Sequence, residues 1–168
     1  MVTFSLRAAG HHGRIVVIED DDANRLVFTD YLTYAGFTIL ALPSGLNLSY
    51  HLQEFRPDLM LLDLGLPDID GYSLLASLRS TPQWAHLPVI VVSGYAFPAE
   101  QQRAMDLGIN RYLVKPIHLQ ELIESIQTAL RLSPLGQPEA ADGEVTVAME
   151  NQEPDLQREF PLSQPESP

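Results

Sequence analysis

The stretch Leu59-Met60-Leu61-Leu62-Asp63 places four apolar residues in a row and then a carboxylate. A strand with one wet face alternates apolar and polar residues, so an unbroken run predicts a strand buried on both faces, as in a parallel sheet. Similar runs recur at residues 15–18, 37–42, 89–92 and 112–114. The segments between them carry helical period. In 22–35, Ala23, Val27, Tyr31 and Ala35 fall four apart, with Asp22 as N-cap and Gly36 at the C′ position. In 118–132, Leu119, Leu122, Ile123, Ile126, Ala129 and Leu130 form one stripe. Shorter helices are expected at 45–55, 71–80 and 99–107, the last bounded by Pro98 and Gly108. The pattern reads as (βα)5, an α/β fold with a doubly wound, five-stranded parallel sheet.

Composition narrows the function classes. The chain has 168 residues, 10 basic and 22 acidic side chains, a net charge of −12 and no cysteine. Neither a disulfide framework nor a thiolate metal site is available, and direct contact with a nucleic-acid backbone is disfavoured. No apolar stretch is long enough to span a membrane and the first residues lack a signal-peptide pattern, so a cytoplasmic location is expected. Residues 133–168 hold eight acids, one base and six of the 13 prolines, a net of −7. The expected organisation is a flexible lead over 1–12, one domain over 13–132 and a disordered acidic tail over 133–168. Within the tail, Leu156-Gln157-Arg158-Glu159-Phe160-Pro161-Leu162 gathers the large apolar groups and reads as either a docking segment or an inert solubilising stretch.

In such sheets chemistry gathers at the carboxyl ends of the strands. There the chain places Glu19 and Asp20, then Asp63, Ser93 and Lys115. Converging carboxylates repel, and a divalent cation relieves this most directly; an all-oxygen set points to Mg2+ or Mn2+ rather than zinc. The plainer reading of an acidic run, a helix N-terminus, suits Asp21 and Asp22 better than Glu19 and Asp20. A lone carboxylate at the end of a core strand is costly unless ligated or paired, so Asp63 reads as functional, with nucleophilic attack on a phosphoryl group within its chemistry. Lys115 is the chain's only lysine, and its compact ammonium suits a phosphoryl oxygen. Pro116 leaves a cis peptide bond open. Ser93 carries the weakest local signal and gains weight from its company.

The pieces Val16-Val17-Ile18-Glu19-Asp20-Asp21, Leu61-Leu62-Asp63-Leu64-Gly65-Leu66-Pro67-Asp68-Ile69-Asp70-Gly71, Pro88-Val89-Ile90-Val91-Val92-Ser93-Gly94 and Tyr112-Leu113-Val114-Lys115-Pro116, in that order and spacing, resemble the receiver domain of two-component response regulators. The resemblance covers about residues 13–132 and implies a flavodoxin-like sheet of order 2-1-3-4-5, an order the handedness rules alone do not select. It implies that Asp63 is the phosphoacceptor and that Glu19, Asp20, Asp63 and the Gly65 backbone carbonyl hold Mg2+ or Mn2+. Ser93 and Lys115 match the groups that contact the phosphoryl oxygens, and Tyr112 matches an aromatic switch that turns inward with Ser93. The implied partners are a sensor histidine kinase or a histidine phosphotransfer protein as donor and a downstream protein as target, with no DNA output; a phosphorylation-dependent homodimer is left open. Such a chain is a signalling phosphoacceptor rather than an enzyme, phosphorylating itself from small phosphodonors and slowly losing the group. Two departures stand out: Gly94 where the family more often has alanine, and Tyr95 beside it near the mouth of the site.

Competing readings fare worse. A haloacid-dehalogenase phosphatase needs a second Asp where Gly65 stands, and a flavodoxin needs a phosphate loop where this chain has four acids. The remaining alternative is a receiver-like module that signals by protein contact without phosphorylation.

Overall fold

The computed structural model describes residues 13–132; the expectations for 1–12 and 133–168 lie outside the described residues. In chain order the elements are β1 (Arg14–Ile18), α1 (Asp22–Tyr34), β2 (Thr38–Leu42), α2 (Leu48–Phe55), β3 (Leu59–Leu62), α3 (Gly71–Ser80), β4 (Val89–Ser93), α4 (Pro98–Asp106), β5 (Arg111–Val114) and α5 (Leu119–Leu132). The strands pair in parallel in the order β2-β1-β3-β4-β5. Every residue of β3 and β4 is buried, as their unbroken apolar runs require. The sheet carries a core on each face. Val16, Ile18, Met60, Leu62, Val89 and Val91 pack with α2, α3 and Ala104 of α4, while Ile15, Val17, Leu59, Leu61, Ile90 and Val92 pack with α1 and α5.

The structure corrects the reading at the start of α1 and just past its end. Asp21, not Asp22, is the N-cap: its backbone is extended and its carboxylate accepts the Asn24 N–H at 2.8 Å, while Asp22 is the first helical residue and pairs with Arg25. The helix buries Phe28 and Leu32, while Ala23 and Val27 are exposed and Ala35 packs partly buried against the same core. Phe37 belongs to the helix stop and not to β2. Gly36 at φ 95° lets its own N–H reach the Thr33 carbonyl and the Phe37 N–H reach the Leu32 carbonyl, with Phe37 buried in the same core as Leu32. The helix expected over 45–55 starts only at Leu48, after a left-handed Asn47.

Gly71 opens α3 where the chain folds back on the residue after Asp63. A Cβ on Gly71 would lie 2.6 Å from the Leu64 Cα and 3.0 Å from its carbonyl oxygen, both backbone atoms unable to step aside. Gly71→Ala is therefore expected to destabilise the domain by about 2 kcal/mol or more, the range of an overpacked core. A urea midpoint equal to that of the natural chain would contradict the contact.

Candidate functional site

Register assembles the site. Ile18 pairs with Leu62, so the next residues, Glu19 and Asp63, leave adjacent strands side by side. The Asp63 N–H donates to the Ile18 carbonyl at 2.9 Å and the Glu19 N–H to the Leu42 carbonyl at 3.1 Å. On the other side Ser93 pairs with Val114, and the Lys115 N–H donates to the Ser93 carbonyl at 2.9 Å. Four residues far apart in sequence thus meet at one end of the sheet.

The Lys115 ammonium donates to Asp63 Oδ2 at 2.6 Å and to Glu19 Oε2 at 2.8 Å. Both carboxylates are deeply buried, at 2% exposure for Glu19 and 7% for Asp63, so the pairing takes place away from bulk water. The second Asp63 oxygen accepts the Gly65 N–H at 2.8 Å, which fixes the carboxylate plane and lays the Gly65 backbone against it. The Lys115-Pro116 bond is cis. Desolvation raises the Glu19 carboxyl above its ordinary range and prevails over the lowering effect of the nearby ammonium. Desolvation alone would lower the Lys115 pKa, but hydrogen bonds and attraction from Asp63 and Glu19 outweigh it and the net direction is upward.

Asp20 is exposed at the mouth, and Glu19, Asp20 and Asp63 each offer an oxygen within 4.8 Å of the others. This hard, all-carboxylate set fits a divalent cation such as Mg2+. Ser93 is fully buried, and its Oγ accepts the Tyr95 N–H at 3.2 Å. Tyr112 is half-buried against the core on the α2–α4 side, its hydroxyl donating to the Tyr95 carbonyl at 2.8 Å. The Tyr95 ring is half exposed and lines a groove with Gly65, Tyr72 and Phe97.

Two residues of the site were not singled out from sequence. The Arg25 guanidinium donates to the backbone carbonyls of Glu19 at 2.9 Å and Asp20 at 3.2 Å, bracing the acidic loop from the first turns of α1. Its place one turn beyond the acidic run was the available signal. Tyr72 donates to the carbonyl and carboxylate of Glu100, a partner 28 positions away that no local pattern announces.

A doubly wound five-stranded sheet of this order, with a buried carboxylate and lysine paired at its carboxyl edge, defines a receiver domain. The chain belongs to that family: residues 15–127 match the response regulator receiver domain. The polar-differentiation response regulator DivK of Brucella anthropi is 30% identical over 116 residues, covering 69% of this chain and 94% of that protein. The receiver domain of a sensor histidine kinase from Pseudomonas aeruginosa, solved with a magnesium ion in its active-site cleft, superposes with a TM-score of 0.63 at 27% identity over 69% of this chain and 95% of that one. The chemotaxis response regulator CheY4 of Vibrio cholerae shares the fold, with a TM-score of 0.64 at 21% identity over 69% of this chain and 97% of that one. Receiver domains are signalling proteins rather than classical enzymes, and as a family they work with histidine kinases and downstream targets. Among the described residues no helix is long and apolar enough to cross a membrane.

Proposed function

We propose that this chain is a phosphoacceptor, taking a phosphoryl group from a phosphohistidine on a partner kinase or phosphotransfer protein onto Asp63 and signalling by protein contact. The observation that carries the reading is the Lys115 ammonium 2.6 Å from a buried Asp63 carboxylate, beside two further carboxylates that share one small space. A structural ion pair needs one carboxylate; here one ammonium pairs with two and a third lies beside them, leaving negative charge that calls for a cation. Glu19, Asp20, Asp63 and the Gly65 carbonyl would hold Mg2+ or Mn2+, which supplies charge neutralisation for the incoming phosphoryl oxygens.

The chain's own groups then divide the work. Asp63 provides the attacking oxygen: an O–P bond forms as the N–P bond of the donor breaks, and the electron pair leaves with the imidazole, which takes up a proton. Gly65 N–H, through the second Asp63 oxygen, keeps the attacking one aimed. Lys115, already hydrogen-bonded to Asp63, stabilises charge on one phosphoryl oxygen, and the Ser93 hydroxyl another. Drawing Ser93 toward the phosphoryl group releases the Tyr95 N–H it now accepts, and Tyr112, bonded to the Tyr95 carbonyl, responds to that movement. The consequence is a population shift on the face made by α4, β5 and α5. The added phosphoryl group, bulkier than the carboxylate it modifies and carrying more negative charge, is the differential contact that drives it.

Incubation with Mg2+ and acetyl phosphate tests the reading. Intact-mass analysis is expected to show one added phosphoryl group, removed by hydroxylamine as an acyl phosphate must be. No mass gain in the presence of Mg2+ would sink it and leave a module that signals without phosphorylation.

A further inference from the structure

We propose that Tyr72 is a positioning residue of this switch, its hydroxyl fixing the first turn of α4 so that Ser93 and Tyr112 act on the loop between β4 and α4 from a set geometry. The inference rests on the phosphoacceptor reading and deepens it. Residues 95–100 are held at both ends by side-chain hydroxyls. At the near end the Tyr95 N–H donates to Ser93 Oγ at 3.2 Å and the Tyr95 carbonyl accepts from the Tyr112 hydroxyl at 2.8 Å. At the far end the Tyr72 hydroxyl donates to the Glu100 carbonyl at 3.1 Å and to its carboxylate.

Tyr72 is well placed to be the fixed point. It follows Gly71, which is packed directly on the backbone of Leu64, the residue after Asp63, so its position is rigid with respect to the phosphoacceptor. Its ring is buried in the core shared by α2, α3 and α4, and the Arg103 guanidinium covers it from outside at 4.0 Å from the ring centre. Glu100 and Arg103 lie three apart on α4, so one helix face grips a single ring by its hydroxyl and its π surface. Burial and the Glu100 carboxylate push the Tyr72 hydroxyl well above the usual tyrosine range, which keeps it a donor. Ser93 and Tyr112 thus hold the Tyr95 backbone at the phosphoryl end of this segment, and Tyr72 holds Glu100 at its α4 end.

Tyr72→Phe removes the hydroxyl and keeps the ring and its Arg103 contact. The test titrates natural and variant chains with Mg2+ alone, then with Mg2+ and beryllofluoride as the phosphoryl mimic, following the Gly65 and Gly94 amides by NMR. Beryllofluoride should bind the variant roughly three- to tenfold more weakly, the worth of one hydrogen bond. Mg2+ alone should bind both equally, because the Tyr72 hydroxyl is bonded to Glu100 and not to Glu19, Asp20 or Asp63. Tyr112→Phe and Tyr72→Phe should also be non-additive for beryllofluoride, as expected of residues that hold the two ends of one segment. Equal or tighter beryllofluoride binding by Tyr72→Phe overturns the inference, and so does an equal loss for Mg2+ and beryllofluoride, which a general loosening would give. Failure of the natural chain itself to bind beryllofluoride overturns the phosphoacceptor reading and the inference with it.

Discussion

Asp63→Asn is expected to reduce phosphoryl incorporation from acetyl phosphate to background, a loss of at least ~1000-fold, because an amide supplies no nucleophilic oxygen. The variant should nevertheless fold. Lys115 keeps its 2.8 Å bond to Glu19, and the asparagine side chain can still accept the Gly65 N–H that now reaches Asp63 Oδ1. Removing one of two buried negative charges also lessens their repulsion, so the stability change should stay within about 1 kcal/mol. This separation makes the variant informative: activity disappears while the scaffold does not. Residual labelling at the natural rate would move the phosphoacceptor elsewhere, and a hydroxylamine-resistant product would indicate a residue other than a carboxylate. Mg2+ binding should weaken but persist, since Glu19 and Asp20 remain.

How much of this could be read before the structure follows from where each constraint is local. The strands were legible because a parallel sheet covered on both faces demands apolar runs, and no other element here shows them. Asp63 and Lys115 were legible for the converse reason: a charge directly after such a run has few structural uses. The buried face of α1 was not legible because Ala23, Val27, Tyr31 and Ala35 keep the same four-residue spacing as Asn24, Phe28 and Leu32 one position on. Period alone cannot choose between adjacent faces, and the larger Phe28 and Leu32 side chains fill the space above Ile15 and Val17. Asp22 lost the cap to Asp21 for a similarly fine reason, the extended backbone of Asp21, which a run of four acids does not disclose. Tyr72 and Glu100 were invisible because their contact depends on α3 and α4 lying side by side. Long-range polar pairs between neighbouring helices leave no periodic trace in either.

Lys115→Met should produce the largest change in stability, and its dependence on conditions identifies the cause. The substitution keeps most of the side-chain volume but leaves Glu19 and Asp63, both deeply buried, facing each other without a counter-charge. Breaking a buried pair costs about 3–5 kcal/mol, and the 22% exposure of the lysine side chain lets water screen part of it, so about 2–3 kcal/mol is expected at neutral pH. The raised Lys115 pKa means that its contribution is present in full below the ordinary 10.5 and disappears only as pH rises through the higher folded value; it is constant across the neutral range. Glu19 follows the same sign in a more acidic window. Its folded pKa already stands above 4.5, so the folded state binds that proton more tightly than the unfolded chain, and stability falls as pH rises through the window between the two values. Without the ammonium the window extends upward, and the deficit of Lys115→Met should be full above it and shrink as pH is lowered into it. Mg2+ should also stabilise the variant, by about 2.7 kcal/mol at a hundred times its dissociation constant, since the cation supplies the charge the lysine gave. Urea midpoints with and without Mg2+, at neutral and mildly acidic pH, decide the matter. A deficit indifferent to both would mean that Lys115 stabilises the domain by packing its methylene stem, and not by holding two carboxylates together until a phosphoryl group takes its place between them.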